Sequence, residues 1–231
     1  MATRVGIYGG SFNPVHFGHL RCAMEVREHA DLARVKLIPA RIPPHKDAAG
    51  IAPAEQRVAM LRAAIRGESG LEVDPLELER EGPSYTVDTL RELRKRDPEV
   101  EHALILGFDS FCDLPTWKDF REILSEVDLL VTSRPPDVVA SGRNDAAFEK
   151  LPVAVSGEFC YQESIRCYTH QSGRRLEFIP VTPIDISASA IRETIAAGGS
   201  AKFLMPDASL EYLHRQQLYR TPRTTGDARL E

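Results

Sequence analysis

The 231-residue sequence predicts an α/β fold: a doubly wound, mostly parallel sheet with helices on both faces and a small helical subdomain at its C-terminal end. Three observations predict it. Short aliphatic and β-branched runs alternate with stretches of helical period. The alternation repeats along most of the chain. The first strand runs through a glycine pair directly into a helix start. Strand, helix, strand in repetition gives parallel strands covered on both sides.

Residues 4–8, 35–39, 71–73, 102–106, 127–132 and 176–180 read as strands. Apolar residues spaced three and four apart, with charges between them, place helices at 20–30, 54–65, 87–96 and 120–124. Residues 135–150, with Pro, Gly, Asn and Asp and little periodicity, read as a long surface excursion. Residues 164–170 and 174–181 alternate around Gln171, Ser172 and Gly173, which predicts a hairpin. Two helices are expected from Ser189 onward. The expected organisation is one domain over 1–231, with a core at about 4–184, a helical part at about 185–219 and a polar tail at 220–231. In such a sheet, ligands bind beyond the C-terminal strand ends, where the strand order reverses.

Hydrophobic residues make up 42% of the chain, enough for a well-buried core. The net charge of −5 and pI of about 5.9 leave no broad basic footprint for nucleic acid. An anionic ligand must therefore be held by local groups. No apolar run approaches the roughly 20 residues of a membrane span, and the first residues, MATRVGIYGG, lack the pattern of a signal peptide. A cytoplasmic location without membrane or nucleic-acid partners is expected; a homo-oligomer stays open. Cys22, Cys112, Cys160 and Cys167 contain no CxxC pair and read as reduced thiols. Cys160, Cys167 and His170 match no common zinc spacing, so they read as parts of a polar hairpin.

The chemistry concentrates after the first strand. Gly9 and Gly10 are followed by Ser11, Phe12, Asn13 and Pro14, and then by His16, Gly18 and His19 at a helix start. Paired glycines let backbone approach a ligand, and the unpaired N–H groups of a helix start favour an anion. Histidines three apart project from one side of that helix start, where each imidazole can donate to phosphate and a protonated one also offsets its charge.

GIYGGSFNPVHFGHL, with its HxGH element at His16, Phe17, Gly18 and His19, resembles the signature of the nucleotidyltransferase superfamily related to class I aminoacyl-tRNA synthetases. Within it, the sequence most resembles the nicotinate-nucleotide adenylyltransferases. The resemblance, which runs from about Arg4 to Tyr219, implies a Rossmann-like sheet. It also implies Mg²⁺-dependent transfer of AMP from ATP to nicotinate mononucleotide, with pyrophosphate released. PARIPPHK, which ends at Lys46, resembles the loop after the second strand. SYTVDTL and LGFDSFCDLPTWKDF resemble the segments that shape the acceptor and ribose pockets. DISASAIRE resembles an element usually written I-S-S/T-S/T-x-I-R. Ala188 departs from it and removes one hydroxyl, while Ser187, Ser189 and Arg192 stay in place. Ser189 by itself also suits a helix cap, and Arg192, three residues on, can fork onto phosphate oxygens.

The expected site follows. His16, His19 and Arg192 act in catalysis. Gly9, Gly10, Ser11, Phe12, Gly18, Gly107, Asp109, Arg134, Ser187 and Ser189 hold ATP. Asn13, Lys46, Tyr85, Thr86 and Trp117 hold the acceptor. Trp117, the single tryptophan, offers a flat face to a pyridinium, and backbone N–H groups near Thr86 and Trp117 are expected to tell acid from amide. The acceptor phosphate is already a nucleophile, so catalysis reduces to positioning and charge. Mg²⁺ is expected to be held mainly by ATP phosphates, without dedicated protein ligands. Other acceptors, such as nicotinamide mononucleotide or phosphopantetheine, and a non-catalytic nucleotide-binding module are the competing readings.

Overall fold

The computed structural model describes residues 3–43, 50–133, 148–149, 151 and 153–220. Among them the strands are β1 (Thr3–Gly10), β2 (Arg34–Pro39), β3 (Leu71–Val73), β4 (Val100–Gly107), β5 (Asp128–Ser133), β6 (Phe159–Gln162), β7 (Cys167–His170) and β8 (Arg175–Pro180). They form one 8-stranded sheet in the order β3-β2-β1-β4-β5-β8-β7-β6. β1 pairs in parallel with both β2 and β4, with Val5 opposite Arg34 on one side and His102 on the other. The sheet therefore winds outward in both directions from β1, and the strand order reverses there. Only β7 runs against the others, so its pairings with β8 and with the end strand β6 are antiparallel.

The helices are α1 (Phe17–His29), α2 (Ala54–Ala64), α3 (Thr86–Arg96), α4 (Phe108–Asp113), α5 (Phe120–Glu126), α6 (Val153–Ser156), α7 (Ala188–Ala196) and α8 (Asp207–Arg215). They cover two faces, and the period-2 alternation of the strands says which. Leu104 and Leu106 pack with Val87, Leu90 and Leu93 of α3, Phe111 of α4 and Ile123 of α5. Ala103 and Ile105, pointing the other way, pack with Ala23 and Val26 of α1, Met60 and Leu61 of α2, and Ile191 and Leu213 of the C-terminal helices. Gly6 answers a packing need inside β1: an added Cβ would lie 2.8 Å from Leu32 Cδ1 and 3.0 Å from Ile105 Cδ1.

The C-terminal helices are tied back to the sheet domain. Ser209 Oγ donates to Met60 O at 2.7 Å, and Tyr212 OH donates to Gln56 Oε1 at 2.6 Å. The hairpin contains an additional strand, because β6 pairs with β7. His170 is buried there, with Nε2 2.9 Å from Glu158 Oε2 and Nδ1 2.8 Å from Ser172 Oγ, so both ring nitrogens already have protein partners. None of the four cysteines is in a disulfide. Most of the expected 135–150 excursion and the 221–231 tail fall outside the described residues.

Candidate active site

After Gly10 the chain turns through Phe12, whose φ of +44° is left-handed, and reaches the start of α1 at Phe17. The Phe12 ring is buried, with its centroid 5.1 Å from that of His19 and 5.9 Å from that of Tyr8. It anchors the loop from beneath. His16 is the N-cap of α1, with an extended φ of −146°. Its backbone N–H donates to His19 Nδ1 at 3.3 Å. Because Nδ1 of His19 accepts, the proton of the neutral imidazole resides on Nε2, which makes that nitrogen a donor. The two rings lie against each other with centroids 3.7 Å apart and their planes tilted by 32°.

Burial pulls the pKa of His16 down to about 4, so its ring is neutral at physiological pH. Of the two contributions an imidazole can make to a phosphate, His16 thus offers the hydrogen bond and not the charge. Its Nδ1 is buried without a hydrogen-bond partner. Gly18, between the two histidines, leaves room for that ring, since an added Cβ would lie 3.1 Å from both His16 Cε1 and Nδ1.

Two cavities open at the C-terminal ends of the central strands, and Ser110 lines both. The first, about 520 Å³, is lined by His16, Gly18, His19, Gly107 and Asp109, together with Tyr8, Cys22, Thr132 and Thr182. Burial pushes the Cys22 thiol up, so it contributes no thiolate. The second, about 630 Å³, is lined by Gly9, Gly10, Ser11, Tyr85, Thr86 and Trp117, together with Glu77, Ser84, Thr89 and Lys118. The glycine pair expected beside ATP thus borders the neighbouring cavity, at the seam between the two.

Several residues take other places. Ser187, not Ser189, caps α7: its side chain accepts from Ala190 N. Ser189 Oγ instead accepts from Arg192 Nη2 at 3.2 Å, and Arg192 Nη1 donates to Asn13 O at 2.8 Å. Ser187, Ser189 and Arg192 are beside the β1–α1 loop, not on the walls of the two cavities. Asn13 is only 4% exposed and its carboxamide is already bonded: Nδ2 donates to Gly50 O, and Oδ1 accepts from Ala52 N and Tyr219 OH. Its side chain shapes the loop rather than lining the second cavity. The Trp117 N–H donates to Leu114 O at 2.9 Å, so that amide is not free for an acceptor carboxylate. Thr86 opens α3: the Asp88 amide already donates to Tyr85 O at 3.1 Å, while the amides of Thr86 and Val87 precede the first helical hydrogen bond. Lys46 and Arg134 lie outside the described residues.

The sequence reading missed Lys118 and Glu77. Lys118 lines the second cavity, with Nζ 5.0 Å from the Tyr85 ring centroid and 2.9 Å from Asp88 Oδ2. Its adjacency to the single tryptophan was the available signal. Glu77, a buried carboxylate on the same wall, accepts from Thr89 Oγ1 at 2.6 Å. It stands in a short 3-10 turn, Leu76–Glu79, too brief to show a period.

The Cytidylyltransferase-like family model matches residues 7–194. A protein of Syntrophotalea carbinolica named "Probable nicotinate-nucleotide adenylyltransferase" is 42% identical over 218 residues, covering 94% of this chain and 98% of the relative. One of Pseudomonas syringae pv. tomato with the same name is 40% identical over 235 residues, covering 98% of each. A solved structure of Plasmodium falciparum nicotinic acid mononucleotide adenylyltransferase complexed with NaAD shares the fold. Its TM-score is 0.70 at 17% identity, over 94% of this chain and 97% of that one. The chain belongs to the cytidylyltransferase-like family and, within it, to the nicotinate-nucleotide adenylyltransferases.

Proposed function

We propose that this enzyme transfers AMP from ATP to nicotinate mononucleotide, giving nicotinate adenine dinucleotide and pyrophosphate in NAD biosynthesis. The observation that carries the reading is the pair of cavities meeting at Ser110 where the strand order reverses. One has two histidines at a helix N-terminus; the other has Trp117, Tyr85 and the N-terminus of α3. ATP occupies the first and the pyridine mononucleotide the second, which brings the acceptor phosphate to the seam. An oxygen of that phosphate attacks the α-phosphorus in line. The new P–O bond forms as the bond to the bridging oxygen of pyrophosphate breaks, and no general base is needed.

His19 donates from Nε2 to the phosphate chain, and its contribution grows as charge builds on the leaving group. His16, neutral, contributes a hydrogen bond and orients its partner. Asp109 suits the ribose hydroxyls as a hydrogen-bond acceptor. Among the described residues no three metal-ligating side chains converge. A Mg²⁺ ion would be carried mainly by triphosphate oxygens and water, where it would lower the charge the attacking phosphate meets. We take the core and the C-terminal helices as one nucleotidyltransferase domain, working in the cytoplasm on small-molecule substrates. No helix among the described residues is long and apolar enough to cross a membrane.

Acid is distinguished from amide by the Thr86 and Val87 amides at the start of α3 and by the Lys118 ammonium, both of which suit a carboxylate. The deciding experiment supplies purified protein with ATP, Mg²⁺ and either mononucleotide, scored for dinucleotide and pyrophosphate. Nicotinate mononucleotide is expected to give much the higher kcat/KM; equal values would sink the specificity. Trp117→Ala is expected to raise the acceptor KM about tenfold through lost stacking, with the KM for ATP little changed. An unchanged acceptor KM would make Trp117 only a packing residue.

A further inference from the structure

Tyr219 is separated from Asn13 by 206 positions, yet its hydroxyl donates to Asn13 Oδ1 at 2.6 Å. The same oxygen accepts from Ala52 N at 3.0 Å, and Asn13 Nδ2 donates to Gly50 O at 3.0 Å. The carboxamide is thereby fixed from two sides, by the segment before α2 and by the segment after α8. The main-chain carbonyl of Asn13 is the acceptor that holds Arg192 at 2.8 Å. Holding Tyr219 here requires a turn with two residues in the left-handed region, Gln217 at φ +52° and Tyr219 at φ +61°. Non-glycine residues occupy that region only where surrounding structure over-determines them. Leu218 N, donating to Leu213 O at 3.1 Å, closes the turn onto α8.

We propose that Tyr219 is a positioning residue of the nucleotide site: it acts through Asn13 on Arg192, setting the guanidinium, which stands beside the β1–α1 loop rather than on a cavity wall, where it meets a triphosphate that extends along that loop. The chain of contacts is Tyr219 OH to the Asn13 side chain, the Asn13 carbonyl to Arg192 Nη1, and Arg192 Nη2 to Ser189 Oγ. Two of the five guanidinium N–H donors are spent on protein, which leaves the rest of the fork for phosphate oxygens. Without the phenol hydroxyl, the Asn13 carboxamide loses one of its three restraints, and the peptide carrying the Arg192 acceptor loosens. The inference rests on the adenylyl-transfer reading only for its kinetic arm.

The test is a double-mutant cycle of Tyr219→Phe and Arg192→Lys, read by kcat/KM for ATP, by acceptor KM and by calorimetric binding of a non-hydrolysable ATP analogue. Arg192→Lys, which keeps the charge and loses the fork, is expected to lower kcat/KM for ATP at least about tenfold with little change in Tm. Tyr219→Phe is expected to lower it about tenfold, the worth of one ordinary hydrogen bond, with acceptor KM unchanged. In the Arg192→Lys background, the same change should cost less than about twofold, because residues acting as a unit are non-additive. Fully additive losses, parental activity in Tyr219→Phe, or an equal rise in both KM values with a lowered Tm would each overturn the proposal. If no pyridine mononucleotide is turned over, the acceptor reading fails, while the analogue-binding cycle still decides whether Tyr219 acts through Arg192.

Discussion

Replacing His19 by alanine is expected to lower kcat/KM on the order of 100-fold or more while the protein stays folded. The ring lines the first cavity, and its Nδ1 accepts the His16 N–H, so Nε2 is the ring nitrogen that can donate. A donor fixed in this way needs no reorganisation as negative charge develops on the leaving oxygens. The structural cost is smaller, about 1 kcal/mol, since the helix start loses one side-chain acceptor. Steady-state kinetics alongside thermal melts separate the two effects. A folded variant within a few-fold of the parent would remove His19 from the phosphate site.

Arg57→Met should instead act on stability, costing about 3–5 kcal/mol. Arg57 is fully buried, and its donors go to backbone carbonyls: Nη1 to Ser11 O at 2.7 Å, Nη2 to Ala40 O at 2.7 Å and Arg41 O at 3.3 Å, and Nε to Ala52 O at 2.9 Å. These carbonyls belong to the loops after β1 and β2, which Arg57 joins to each other. Methionine fills much of the space but leaves the carbonyls dry and unpaired. Denaturant melts measure the loss directly. A destabilisation below about 1 kcal/mol would mean that water replaces the guanidinium there and that the loops do not depend on it.

The parallel sheet, its winding and the position of the glycine-containing loop between β1 and α1 were legible because each has a local signature. Alternation at period 2 marks which strand residues face which helical layer, and apolar spacing of three and four marks the covering helices. A glycine pair between a strand and a helix start marks the loop. Short elements were less legible: α4 and the Leu76–Glu79 turn span too few residues to show a period, and the exposed alternation of β6 resembles a polar loop. Ser187 and Ser189 were both suitable caps by composition. Only the geometry of α7 gives the cap to Ser187 and turns Ser189 toward Arg192.

Residue types and spacings were thus sufficient for the helix start that carries His16 and His19, because those side chains are neighbours along the chain. The state of those side chains was not: the neutrality of His16 follows from burial, which depends on what the rest of the fold packs around it. Asn13 likewise has the chemistry of a ligand-binding residue, and its carboxamide is consumed by Gly50, Ala52 and Tyr219. Arg57 reads as one more charged residue on an amphipathic helix until β1 and β2 bring their carbonyls to it. In each case the deciding partner is remote in sequence, and a hydrogen bond over such a separation leaves no periodic trace. Local order follows from backbone propensity and hydrophobic spacing, whereas the job of a polar side chain depends on which donors and acceptors the folded chain leaves within about 3 Å of it.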